Sequence, residues 1–218
     1  RHWYQPGFTL VGSGVFSRAQ TERREEDLIP AGVKWLRAAA ATFDPAADTV
    51  ALEDGRTIGY RSLIVCPGLK LDWDKIEGLG ETIGRNGVCS NYLPQYADYT
   101  WKCVQGLSGG NAIFTQPAMP IKCAGAPQKI MYLTADNLRK RGLLSKTNVE
   151  FCLAGDAMFG VAYFVPALLE AVEKYGINVN YKTMLTRVDG DARKAYFRAP
   201  DATGNMIDTV KSFDMLHV

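Results

Sequence analysis

The cysteines, at positions 66, 89, 103, 123 and 152, are the side chains with the widest scope for chemistry. One stands apart. Cys123, in "PIKCAGAP" (120–127), follows Lys122 and an apolar strand pattern and directly precedes a helix pattern. A neighbouring ammonium and a helix N-terminus each favour a thiolate, and such settings bring a thiol pKa from about 8.5 into the range of roughly 3.5–7.5. Cys123 is therefore a candidate nucleophile or redox thiol, against the competing reading of an inert core thiol, the common fate of a free cysteine. Cys66 and Cys152 fall inside apolar strand patterns and Cys103 inside a helix pattern, so these three are expected in the core. Cys89, in "NGVCSNY", is expected on a loop, where a redox role competes with a structural one.

An odd number of widely spaced cysteines, without a CxxC pair and with only His2 and His217 as histidines, argues against a zinc site and against a disulfide framework. Individual thiols in a reducing compartment are expected, and no metal. A formal net charge of +2 and a mixed-sign cluster "ERREED" (22–27) give no field that would draw nucleic acid. No apolar run approaches the roughly 18 residues that span a bilayer. The chain opens on "RHWYQPGFTLVGSG" and closes on "FDMLHV", both already patterned, so it is expected to lack both ends of a longer protein.

The elements that must position Cys123 can be read from periodicity. The strand "GNAIFTQP", a helix over about 126–141 and the strand "NVEFCLAG" (148–155) have the order and length of a right-handed parallel crossover. Ile130, Met131, Leu133 and Leu138 form the apolar side of that helix, and Arg139, Lys140 and Arg141 before Gly142 end it. Helices are also expected over 92–107 and 165–176. Strands are expected in "INVNYKTMLTRVDGD", "KAYFRAP" and "DMLHV". "VALEDGRTIGY" has hairpin form around Asp54-Gly55, and "RSLIVCPG" (61–68) reads as a buried strand entering a loop. Trp35, Trp73 and Trp101 are read as packing residues. The order suggests two lobes meeting near residue 105, the second like half of a dinucleotide-binding fold. Its phosphate fingerprint is wanting, because "AGDAMFG" (154–160) carries Ala157 where the second glycine of G-x-G-x-x-G would stand, and no helix pattern follows "GSGVFS" (12–17).

"FTQPAMPIKCAGAPQKIMYL" (114–133), with "HWYQPGFTLVGSG", "GNAIFTQP" and "FDMLHV", resembles the sulfide:quinone oxidoreductases, and most of all their mitochondrial-type members. The resemblance implies an α/β fold: part of a two-domain, Rossmann-like FAD/NAD(P)-binding-type flavoprotein. Residues 1–104 would be part of the FAD-binding domain and 105–218 a second dinucleotide-binding-like domain with a degenerate NAD site. It implies FAD as cofactor, with Gln5, Ala40, Pro67 and Gly68 at FAD-contacting positions; Ala40 replaces a valine of the family, a change that a backbone contact would tolerate. Cys123 would be one of two redox cysteines, the other lying beyond Val218. Sulfide would open their disulfide, one sulfur would become a persulfide, and electrons would pass through the flavin to ubiquinone. A small thiophilic acceptor would take the sulfane sulfur. The implied location is the matrix side of the mitochondrial inner membrane, reached through regions outside this chain, with a bacterial cytoplasmic membrane as the alternative. Two other readings remain open: a type II NADH:quinone oxidoreductase, which Ala157 argues against, and a non-catalytic nucleotide-domain relic that serves as a binding module.

Overall fold

The computed structural model describes residues 1–218, which form two compact units. The larger comprises residues 2–22 and 71–218, and the smaller is built of residues 23–70 together with Arg1. In chain order the elements begin with β1 (His2–Trp3), α1 (Phe8–Gly12), β2 (Glu22–Arg23), β3 (Ala40–Asp44), β4 (Thr49–Leu52), β5 (Thr57–Gly59), α2 (Leu79–Thr82), β6 (Val88–Cys89) and α3 (Pro94–Gly106). There follow β7 (Gly110–Gln116), α4 (Gly125–Lys140), β8 (Thr147–Leu153), α5 (Val165–Tyr175), β9 (Asn178–Asn180), β10 (Met184–Asp189), β11 (Lys194–Pro200), β12 (Met206–Ser212) and β13 (Met215–His217). No helix is long and apolar enough to cross a membrane.

The larger unit is built on a five-stranded parallel sheet of order β6-β13-β7-β8-β9. The crossovers β7-α4-β8-α5-β9 lead into the antiparallel meander β10-β11-β12, after which β13 returns to lie between β6 and β7. This is a Rossmann-like α/β architecture. Its central strands read as unbroken apolar runs because both faces are covered. Ala112, Phe114, Val149, Phe151 and Leu153 share one core cluster with Ile130, Met131 and Leu138 of α4. Ile113, Cys152 and Leu216 point the other way, into a second cluster with Ala195 and Phe197 of the meander.

Helix α4 buries Pro127, Gln128, Ile130, Met131, Thr134, Ala135 and Leu138, the three-and-four spacing of one face. Its last turn carries Arg139 and Lys140, and Gly142 at φ +68° lets the Leu143 amide donate back to the Leu138 carbonyl at 2.8 Å. The neighbouring Arg141 guanidinium donates to the carbonyls of Val104, Gln105 and Leu107, at the C-terminal end of α3. At Gly14, φ is +76° and the Trp101 ring lies 2.5 Å from where a Cβ would stand, so only glycine fits this turn after α1.

The boundary expected near residue 105 falls inside the larger unit, at the turn from α3 to β7. The smaller unit holds the meander β3-β4-β5, with the Asp54-Gly55 turn as expected and Val50 and Leu52 buried. Two readings need correction there. The segment 61–68 joins no sheet: it forms no regular element and is exposed, with Ile64 88% exposed, and it leaves Cys66 exposed rather than in a core. An apolar run is buried only where a ladder takes up its backbone groups, and the three strands of this unit pair only among themselves. Trp35 is likewise exposed, with the Arg37 guanidinium stacked 4.3 Å from its ring centroid.

Candidate functional site

Ligands of open parallel sheets bind outside the carboxyl ends of the strands, and Cys123 lies on a loop that leaves such an end. Strand β7 stops at Gln116; residues 117–124 form the loop, and α4 begins at Gly125, two residues beyond the thiol. Cys123 is exposed. Its carbonyl accepts the Ala126 amide at 3.1 Å and the Tyr92 hydroxyl at 3.0 Å, which tie the residue to the first turn of α4 and to the segment after β6. Burial, with the Cys123 sulfur nearby, raises the Tyr92 phenol above its ordinary value. Burial of Lys122 lowers its ammonium pKa, and the Cys123 charge opposes that shift.

The loop after β8 is fastened beside it. The Ala154 amide donates to the Gln116 carbonyl at 3.0 Å, and the buried Gln128 side chain of α4 donates from Nε2 to the Met158 carbonyl. Two polar groups at this edge escaped the sequence reading. His217, fully buried at the end of β13, meets Asn91 Oδ1 through Nε2 and stacks on Phe114, with ring centroids 5.8 Å apart. Its Nδ1 has no partner, and burial pushes the imidazole down to about 3. Gln116 Oε1 is buried and unpartnered as well. The available signal was a histidine inside an apolar strand run and a glutamine at a strand end.

The phosphate-fingerprint position also shifts. The first strand of this βαβ series is β7, so the glycine-rich turn of a nicotinamide site would join β7 to α4. "AGDAMFG" instead follows the second strand, and α5 begins only at Val165. In the β7–α4 position stands the longer loop with Pro117, Pro120 and Cys123, so a thiol occupies the place before the helix where a pyrophosphate would sit.

The other cysteines separate by burial. Cys152 is buried as expected, and its thiol is pushed up to about 12 chiefly by desolvation. Cys89 is not on a loop but fully buried in β6, opposite His217. Cys103 is half-buried on α3. Of the residues assigned to FAD, Gln5 is exposed at the start of a 3-10 turn in the larger unit. Ala40, Pro67 and Gly68 are exposed in the smaller unit, with Ala40 opening β3. Gly68 has φ +80° and open space where a Cβ would stand, so its backbone can lie flat against a bound group.

No protein-family model matches the chain. Over 219 residues it is 42% identical to the "Sulfide:quinone oxidoreductase, mitochondrial" of Dictyostelium discoideum, covering 100% of this chain and 47% of that protein. Along its whole length the chain resembles the mitochondrial sulfide:quinone oxidoreductases. The protein of that name from Mus musculus is 40% identical over 218 residues, 100% of this chain and 48% of its own length. The X-ray structure of the sulfide:quinone oxidoreductase from the hyperthermophilic bacterium Aquifex aeolicus superposes with a TM-score of 0.70 at 20% identity, over 99% of this chain and 49% of that one, which is a likeness of fold. The chain thus spans about half the length of the curated relatives it matches.

Proposed function

We propose that this chain is part of a flavin-dependent enzyme that oxidises sulfide at a cysteine pair and delivers the electrons to ubiquinone. The observation that carries the reading is the match of the whole of this chain to about half of proteins named sulfide:quinone oxidoreductase, within which Cys123 is an exposed thiol on the loop before α4. Cys123 is one member of the redox pair, and sulfide attack on the disulfide leaves one cysteine as a persulfide and the other as a thiolate. FAD, when bound, supplies the two-electron step between thiol and quinone. By the resemblance, Gln5, Ala40, Pro67 and Gly68 stand at FAD-contacting positions. Residues 1–104 would belong to the FAD-binding domain and residues 105–218 to the second, dinucleotide-binding-like one. A small thiophilic acceptor would take the sulfane sulfur, and the enzyme would work at the matrix face of the mitochondrial inner membrane.

The β7–α4 loop favours this reading over the NADH-dependent one, since a thiol and two prolines replace a glycine-rich phosphate turn. The test is Cys123→Ser in the flavin-loaded enzyme. Sulfide-dependent quinone reduction is expected to disappear while FAD stays bound, because the hydroxyl can neither form the disulfide nor carry the persulfide. Parental turnover in the folded variant would refute the assignment.

A further inference from the structure

The buried end of β13 reaches the Cys123 loop through side-chain hydrogen bonds on two neighbouring residues, Asn91 and Tyr92. From β6 the chain runs on through Ser90, Asn91 and Tyr92, all buried and outside any helix or strand. His217 Nε2 meets Asn91 Oδ1, the Tyr92 amide donates to Ser90 Oγ at 3.2 Å, and the Tyr92 hydroxyl donates to the Cys123 carbonyl at 3.0 Å. His217 is itself fixed on both sides. It pairs with Cys89 of β6 and Phe114 of β7, and its carbonyl accepts the Thr115 hydroxyl at 3.0 Å. With Asn91 Oδ1 as acceptor, Nε2 carries the ring proton, and Nδ1 is left as a buried acceptor without a donor. A buried acceptor without a partner costs stability, so the polar part of the ring adds little to the net. What it supplies is direction: the ring lies on Phe114 and offers its donor to Asn91.

We propose that His217 is a positioning residue for Cys123: it orients Asn91, and with it the segment 90–92, so that the Tyr92 hydroxyl meets the Cys123 carbonyl. That carbonyl is held from two sides, by the Ala126 amide at 3.1 Å and by Tyr92. The first grip lies within the loop and the first turn of α4, and exists wherever that turn forms. The second depends on where the segment after β6 lies, and the hydrogen bond from His217 fixes a residue of that segment beside Tyr92. Thiol exchange needs the attacking sulfur aligned with the bond it breaks, and small misplacements are costly in rate. A backbone held at two points confines the sulfur in a way that one point does not. The inference rests on the reading of Cys123 as the reacting thiol, and the role assigned to His217 is exercised only through Asn91 and Tyr92.

The experiment times iodoacetamide alkylation of each cysteine in the reduced protein at neutral pH, by peptide mapping. His217→Leu fills the space without the donor, and should accelerate Cys123 severalfold while Cys66 keeps its rate and Cys89, the strand neighbour of His217, stays protected. His217→Gln carries an amide donor that can reach Asn91, and should return Cys123 close to the parental rate. In a Tyr92→Phe background, His217→Leu should add nothing further, because the link it acts through is already cut. The proposal is overturned if Cys89 is alkylated along with Cys123 in His217→Leu, which is the signature of a purely structural loss. It is overturned equally if His217→Gln behaves as His217→Leu, or if the effects of the Tyr92 and His217 substitutions add. Should His217→Leu fail to fold, Asn91→Ala removes the acceptor, leaves the ring on Phe114 and makes the same comparison. Alkylation needs neither sulfide nor quinone, so loss of the sulfide reading, shown by a Cys123→Ser enzyme with parental turnover, is distinguished from failure of this positioning role.

Discussion

Tyr92 donates its hydroxyl to the backbone carbonyl of Cys123 at 3.0 Å, so a side chain following β6 holds the loop that follows β7. Tyr92 is only 8% exposed, and its own amide is fixed by Ser90 Oγ at 3.2 Å. Tyr92→Phe keeps the ring packed and removes one hydrogen bond, which should cost about 0.5–1.5 kcal/mol in urea unfolding. Alkylation of Cys123 should accelerate severalfold while that of Cys66 does not change. An unaltered Cys123 rate would show that the loop is held by the Ala126 amide and α4 alone.

The buried and exposed thiols should respond differently to the same substitution. Cys152→Ser places a hydroxyl between β8 and the meander and should destabilise by about 1–3 kcal/mol. Cys66→Ser should change stability by no more than about 0.5 kcal/mol, since its side chain is exposed. Comparable losses at both positions would mean that residues 61–68 are covered in the protein as it works.

Those two cysteines show what the sequence could and could not convey. Both sit in apolar runs of similar length, and only the presence of neighbouring strands separates them. "NVEFCLAG" lies between β7 and β9, whereas "RSLIVCPG" has no ladder partner. Helix α4 and the hairpin at Asp54-Gly55 were legible because spacing and turn chemistry are local signals. Pairing is not local: β13, expected as a strand, turned out to lie inside the sheet between β6 and β7, and that position buries His217 and makes Cys89 its neighbour. The place of the phosphate turn was misread because "first strand" is a property of sheet order rather than of sequence.

Nicotinamide nucleotides should bind poorly. The β7–α4 turn offers Pro117, Pro120 and the Cys123 side chain where backbone amides would have to approach a pyrophosphate. Calorimetric titration with NADH is expected to give no dissociation constant below about 0.1 mM, equivalent to roughly 5.5 kcal/mol. Tighter binding would restore the NADH-dependent reading.

Acid should destabilise the fold through His217 before it reaches the ordinary carboxylates. The folded imidazole is held down to about 3 by burial, while in the unfolded chain it takes its usual value of about 6.5. Above the unfolded value both states are neutral and the contribution is fully present. As pH falls from about 6.5 toward 3, the unfolded chain binds a proton that the folded one refuses, so stability drops by up to about 1.4 kcal/mol per pH unit. Asp136, lowered to about 2 by hydrogen bonds from Lys140 and Arg139, acts in the same direction but only as pH falls from the usual carboxylate value toward 2. The interval between about pH 6.5 and 5 therefore isolates the histidine. His217→Gln should lower stability at neutral pH, because the stacking on Phe114 is lost, yet its unfolding free energy should be nearly level across that interval. Chemical unfolding of both proteins over this range decides the matter: parallel pH slopes would mean that His217 is protonated in the folded state, and that Asn91 and the unpartnered Nδ1 lie in a wetter setting than the buried end of β13 provides.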